Sequence, residues 1–237
     1  MLKETILTKI TELSHTDFNY SFTNNFGSLD LLDYDCSGIV MDASVLYFEI
    51  KNIPSMLKNG KRHATRVYKM YYHALKEIAK ATKGHFCCNS PDSFLLIYPK
   101  EDHDVAYAVD VALHIADLFS NGLRESIEEH SPLSFAIGID KGNIMGSKVS
   151  SDNGDDRIIW IGIPIDKAKA ICQECNRPFF VGTSGTVHHH LDEDHRVITK
   201  NILGFKKKID IWTVASYQFE NVKKHLYQTN LLKPFEE

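Results

Sequence analysis

Gly38-Ile39-Val40-Met41-Asp42-Ala43-Ser44-Val45-Leu46-Tyr47 is the stretch whose reading decides the fold. It is an apolar run that reaches one carboxylate, Asp42, and then changes character, which predicts a strand ending near Asp42. Residues 43 to 58 read as a loop or short helix stopped by Asn59-Gly60. A second run, Ser93-Phe94-Leu95-Leu96-Ile97-Tyr98, follows the turn Asn89-Ser90-Pro91-Asp92, so a second carboxylate stands at the mouth of a second strand. If the two strands are neighbours in one sheet, Asp42 and Asp92 meet. Two converging carboxylates repel unless a cation lies between them, which makes the pair a candidate magnesium site for phosphate chemistry. Aspartate is also a common turn and cap residue, and spacing alone leaves that alternative open.

The chain of 237 residues is long enough for one large domain or two small ones. Apolar content of 43% and charged content of 24% are ordinary for a globular protein, and a net charge of -4 argues against a dedicated nucleic-acid binder. Leu2, Ile6, Ile10 and Leu13 share one face of an N-terminal amphipathic helix, unlike the unbroken apolar core of a signal peptide. No window is apolar for long enough to span a bilayer, so no membrane partner is expected. Five sparse cysteines point to a reducing cytoplasm and not to a disulfide framework.

Residues 14 to 37 are polar and punctuated, reading as a connecting arm. From Lys61 to Thr82 the apolar positions Ala64, Val67, Tyr68, Tyr71, Leu75, Ile78 and Ala79 repeat at three and four, a long amphipathic helix closed by Lys83-Gly84. His85 to Cys88 and Ser93 to Tyr98 flank a hairpin turn, and Asp104 to Asn121 reads as a second helix. Leu133 to Ile139 alternates as a strand, and Asp140-Lys141-Gly142 is read as turning it into a hairpin. Ser150 to Asp156 is an acidic exposed loop, Arg157 to Gly162 a short buried strand, and Pro164 opens a further helix. Phe179 to Gly182 is a strand, Thr183-Ser184 caps a short helix, and strands around Arg196 to Leu203 and Ile209 to Val214 form a last hairpin. This order predicts an α+β fold with a mainly antiparallel sheet and helices on its face.

Four stretches together resemble the class III nucleotide cyclase catalytic domain, over roughly residues 36 to 215. They are Val40 to Leu46, Asn89 to Leu95, Phe135 to Gly142 with Gly146, and Trp160 to Ala168. The resemblance implies a ferredoxin-like core, with residues 1–35 as an N-terminal helix and arm and 216–237 as a C-terminal tail. It implies that Asp42 and Asp92 are catalytic and hold Mg2+ or Mn2+, with Ala43 beside the metal. Backbone amides of Ala43, Ser44, Val45 and Leu46 would cradle the phosphates. The implied reaction is attack of a ribose 3′-hydroxyl on the α-phosphate of a nucleoside triphosphate, in a site shared between the two protomers of a homodimer.

The departures are informative. Where purine cyclases read the base, this chain has Cys88 and Ile159, and neither makes the purine-specific hydrogen bonds. Asp166 stands where an asparagine orients the ribose, and Ala170 where a transition-state arginine is expected. Leu203 or Gly204 stands at the place of the family's late lysine. That combination resembles the stand-alone pyrimidine cyclases of bacterial anti-phage signalling, known as Pycsar, which make cyclic UMP or cyclic CMP. UTP or CTP is then the expected substrate, with Tyr47 a candidate to contact the small base or simply a core aromatic. Arg66, Lys167 and Lys169 are candidates to bring positive charge to the phosphates, or solvated helix residues. The alternatives are an adenylate or guanylate cyclase with an atypical base pocket and an inactive cyclase-like domain that dimerises and binds nucleotide. Cys172-Gln173-Glu174-Cys175 with His189 or His190 and His195 has the outline of a zinc site, but Gly182 to Gly185 interrupts the helix such a site needs.

Overall fold

Tyr98 and Pro99 pair with Ser44 and Ala43, whereas Ser93 pairs with Glu49, so the strand through Asp42 continues well past it. In the computed structural model, which describes residues 2–23, 25–34, 36–58, 60–100, 105–122, 134–149, 157–202 and 205–234, that strand is β2, Ser37–Lys51. Before it come α1 (Leu2–His15), β1 (Asn19–Phe22) and a 3-10 turn (Phe26–Leu31). After it come α2 (Ile53–Lys58), α3 (Lys61–Ala81), β3 (His85–Ser90), β4 (Ser93–Pro99) and α4 (Val105–Asp117). Then follow β5 (Ser134–Val149), β6 (Arg157–Ile161), α5 (Ile163–Glu174), β7 (Val181–Ser184) and α6 (Gly185–His190). The last elements are β8 (Val197–Ile202), β9 (Phe205–Asp210), β10 (Thr213–Phe219) and β11 (Val222–Thr229).

Among the described residues one sheet has the order β10-β11-β7-β5-β2-β4-β3, with β1 added beside β2 and β6 beside β5. The pairings are antiparallel except β1 with β2 and β5 with β7. Within it, β5-β2-β4-β3 with α3 and α4 as connections is the βαββαβ arrangement of a ferredoxin-like core. The expected α+β class with a mainly antiparallel sheet is what the chain adopts.

Both faces of β2 are covered, which is why its sequence does not alternate. Leu46, Phe48 and Ile50 join Val67, Tyr71 and Leu75 of α3 and Val109, Ala112 and Ala116 of α4 in one core. Ile39, Met41, Ala43, Val45 and Tyr47 join Ala168, Ile171 and Cys172 of α5 on the other face. The helix lies directly on the sheet at Gly138, where an added Cβ would stand 1.9 Å from the Ala168 carbonyl oxygen.

Four expectations are corrected. Residues 43–51 are strand, because a doubly buried strand carries no period to mark its end. Asp140-Lys141-Gly142 does not reverse the chain; β5 runs on beside β2 from Ser134 to Ser147, with Gly142 at φ 142. The hairpin expected to be the last is β8 with β9, a pair separate from the main sheet, and a further hairpin of two strands follows it. The stretch 216–229 of the expected tail is therefore part of the sheet: β10 and β11 turn at Glu220 and Asn221, both at positive φ, and β11 pairs with β7. Outside the described residues lie Asn59, Asp104, Leu133, the acidic loop 150–156, Leu203 and Gly204.

Candidate active site

Antiparallel pairing decides which carboxylates meet. Because β4 runs against β2, Asp92 at the start of β4 faces the end of β2, and its carbonyl accepts a 2.8 Å hydrogen bond from the Ile50 amide. Asp42 belongs to the other end of the ladder, where Ala43 pairs with Pro99. It is seven residues before Glu49, about 23 Å at the rise of an extended strand. Asp42 instead bonds Lys100, by a 3.1 Å ion pair and through its carbonyl to the Lys100 amide at 2.9 Å. Asp42 and Asp92 do not meet.

The acidic residue that the ladder sets beside Asp92 is Glu49, which sequence reading missed. Glu49 is paired with Ser93, the residue next to Asp92. Tyr47, Glu49 and Lys51 alternate onto one face of β2, and Lys51 Nζ donates to Glu49 Oε1 at 3.0 Å with side chains 19% and 24% exposed. Ser90 Oγ donates to Asp92 Oδ1, and Ser90 and Ser93 share a 2.8 Å hydrogen bond. Tyr47 and Ser93 share a further hydrogen bond. A chain of hydroxyls therefore runs from the buried Tyr47 through Ser93 and Ser90 to the Asp92 carboxylate.

Burial pushes the Tyr47 phenol above its ordinary range; the Ser93 bond works against that, and the charges of Glu49 and Asp92 add to it. Tyr68 of α3 is raised by burial and then by the Asp92 charge, which places that helix beside the site. Cys88 is raised in the same way, and its thiol donates to the Ser90 carbonyl at 3.3 Å. The arrangement is two carboxylates, one ammonium and a set of neutral hydroxyls at one end of a buried ladder. Its oxygens are the hard donors that Mg2+ or Mn2+ prefers.

The remaining expected residues distribute as follows. Ala43, Ser44, Val45 and Leu46 are buried in mid-strand, their backbone in the ladders with β4 and β5, so they form no phosphate turn. The turn after the carboxylate is at Asn52, φ 59. Cys88 stands next to Asp92, and Tyr47 lies beneath it with its hydroxyl bonded to Ser93, so Tyr47 supports the site and does not present its hydroxyl to a base. Arg66 is exposed on α3, two residues before Tyr68 and so turned to the opposite side of the helix. Ile159 is exposed on β6 and pairs with Ser147, which pairs with Gly38, eleven positions before Glu49 on β2. Asp166 is exposed on α5. Lys167 is 3.8 Å from the buried Asp140 and beside the Phe219 ring, while Lys169 is exposed. Cys172 and Cys175 are buried under β5, with Cys172 Sγ donating to the Ala136 carbonyl, and His195 bonds Asp110 and Asp192.

No protein-family model and no curated protein sequence matches the chain. Solved structures do. The guanylyl cyclase Cya2 superposes with a TM-score of 0.62 at 14% identity, covering 83% of this chain and 95% of its own. A dimeric guanylyl cyclase domain of a fusion protein from the aquatic fungus Blastocladiella emersonii gives 0.59 at 12% identity, covering 81% and 98%. A class III adenylyl cyclase-like ATP-binding protein from Pseudomonas aeruginosa gives 0.58 at 17% identity, covering 76% of this chain and 40% of that one. The chain has the class III nucleotide cyclase fold.

Proposed function

We propose that this chain is a nucleotide cyclase of UTP or CTP, acting as a homodimer and supplying a cyclic pyrimidine nucleotide as a second messenger in bacterial antiviral defence. The observation that carries the catalytic part is that Glu49 and Asp92 lie at the same end of the β2–β4 ladder on this fold, both close enough to act on Tyr47. In this reading Glu49, not Asp42, is the partner of Asp92, and Ile50 takes the place expected for Ala43. The pyrimidine part is supported by Cys88 beside Asp92 and Ile159 on β6, since neither offers the hydrogen bonds that select a purine edge.

The reaction forms a bond from the ribose 3′-oxygen to the α-phosphorus and breaks the bond from that phosphorus to the bridging oxygen of the pyrophosphate. The hydroxyl proton is released and pyrophosphate leaves. A Mg2+ or Mn2+ ion held by Glu49 and Asp92 would acidify the hydroxyl and offset phosphate charge. Asp92 is held in place for this by Ser90 and, through Ser93, by Tyr47.

The homodimer is supported by the separation of the expected base and ribose positions. Ile159 lies some eleven strand positions from Glu49 within one chain, so only a second copy could bring β6 to the carboxylates. Ile159, Ile161 and Ile163 are all about half exposed, an apolar row suited to such a contact.

A second reading is favoured by the Lys51–Glu49 ion pair and by Ala170 at the arginine position: a domain that binds nucleotide without turning it over. Purified protein incubated with Mg2+ or Mn2+ and each of ATP, GTP, UTP and CTP separates the readings. Cyclic product from UTP or CTP is expected. Product from ATP or GTP alone would contradict the pyrimidine reading, and nucleotide binding without product would establish the second.

A further inference from the structure

Among the described residues, Lys51 is the cationic side chain that stands within the candidate site. Its ammonium is 3.0 Å from Glu49 Oε1, and both side chains are largely covered. A divalent ion brought to Glu49 with Lys51 in place would set like charges within about 4 Å of each other, so the two compete for one carboxylate. The lysine is also well placed to leave. It is the last residue of β2, directly before Asn52, whose φ of 59 turns the chain away into α2. Its four-carbon stem can swing the ammonium while the backbone stays fixed in the sheet by the pairing of Lys51 with Ser134.

We infer that Lys51 is an exchangeable internal counter-ion: it holds Glu49 in the nucleotide-free protein and passes to the phosphate chain when a cation takes the carboxylate. The inference rests on the reading of Glu49 and Asp92 as the cation site. Its consequence is coupling. Cation alone binds poorly because it must displace Lys51 into solvent, whereas cation with a polyphosphate binds well because the released ammonium gains a phosphate partner.

The test measures Mn2+ binding by electron paramagnetic resonance, with and without inorganic tripolyphosphate, in the whole protein and in Lys51→Met, Lys51→Arg and Glu49→Gln. Tripolyphosphate carries the phosphate chain without a base, so the result does not depend on which nucleotide is the substrate. Lys51→Met is expected to bind Mn2+ alone about tenfold more tightly and tripolyphosphate with Mn2+ about tenfold more weakly, within the usual range of coupling between sites. Lys51→Arg is expected to restore both values toward those of the unaltered protein. Opposite signs for the two ligands are something a merely structural ion pair would not produce. A Lys51→Met protein with unchanged Mn2+ affinity, or with both affinities lowered, would overturn the inference. If Lys51→Met destabilises the fold, Lys51→Gln keeps a polar head and is read by the same signs. Loss of Mn2+ binding in Glu49→Gln alongside no effect of Lys51→Met would sink only the counter-ion role; unchanged Mn2+ binding in Glu49→Gln would sink the cation site itself.

Discussion

The two ends of the β2–β4 ladder carry the same pair of charges in different surroundings. At one end Asp42 pairs with Lys100, with side chains 35% and 66% exposed; at the other Glu49 pairs with Lys51, 24% and 19% exposed. The exposed pair sits largely in solvent, where such contacts contribute about 0–1 kcal/mol. The covered pair has Asp92 beside it and a hydroxyl chain beneath it. Nearby on the Asp42 side, the sheet is closed by aromatic packing, with His85 stacked on Phe26 at 4.8 Å and set edge-on to Trp160 at 5.4 Å. One end is thus built as packing and the other as a polar site. A carboxylate beside a lysine does not by itself mark chemistry; in the proposed reading it is the second acidic residue at the same end of the ladder that does.

The strongest way to break this division is at the seat of α5, the helix that covers the polar end. Gly138→Ala would place a methyl group 1.9 Å from the Ala168 carbonyl oxygen and 2.6 Å from the Cys172 amide. Overpacking against backbone should cost at least about 3 kcal/mol. In a chain of this size that is a fall in melting temperature of about 10 °C, measurable by calorimetry.

A smaller effect isolates the hydroxyl chain. Tyr47→Phe keeps the buried ring but removes the bond to Ser93, so Asp92 loses part of its orientation. Turnover should fall about tenfold, as for other groups that orient a ligating side chain, with the melting temperature within a few degrees of the parent. An unchanged rate would remove Tyr47 from the account.

The closed end is sharpened by acid. Burial pushes the His85 pKa down to about 4, so the folded protein holds a neutral imidazole that the unfolded chain protonates near 6.5. The stability it contributes is fully present above pH 6.5 and is lost as pH falls through about 4. Urea midpoints measured between pH 7 and pH 4 should decline, and His85→Phe should flatten that part of the curve. A midpoint that rises toward pH 4 would have the opposite sign.

Much of this architecture is legible in the residues. The three-and-four spacing of Ala64, Val67, Tyr71, Leu75, Ile78 and Ala79 identifies both α3 and its buried face. Asp92 is found because the turn before it fixes where β4 begins. The end of β2 is hidden for the opposite reason: from Ala43 to Phe48 every residue is buried, so no alternation marks where the strand stops. Asp42 then resembles an end because it is the first charge in the run, and Glu49, seven residues on, goes unnoticed. The β10–β11 hairpin is similarly obscured, since Glu220-Asn221 adopts positive φ without the glycine that usually announces such a turn.

The most direct test of the central claim compares the two ends in one experiment. Glu49→Gln and Asp42→Asn each remove one negative charge with little change of shape, and each leaves a lysine without its partner. Turnover of the preferred nucleotide in Mn2+ should fall at least about a hundredfold in Glu49→Gln, the scale of losing a group that acts on the transition state. It should change less than about twofold in Asp42→Asn. The reverse order, with Asp42→Asn inactive and Glu49→Gln near the parent rate, would place the chemistry at the other end of the ladder and contradict the account.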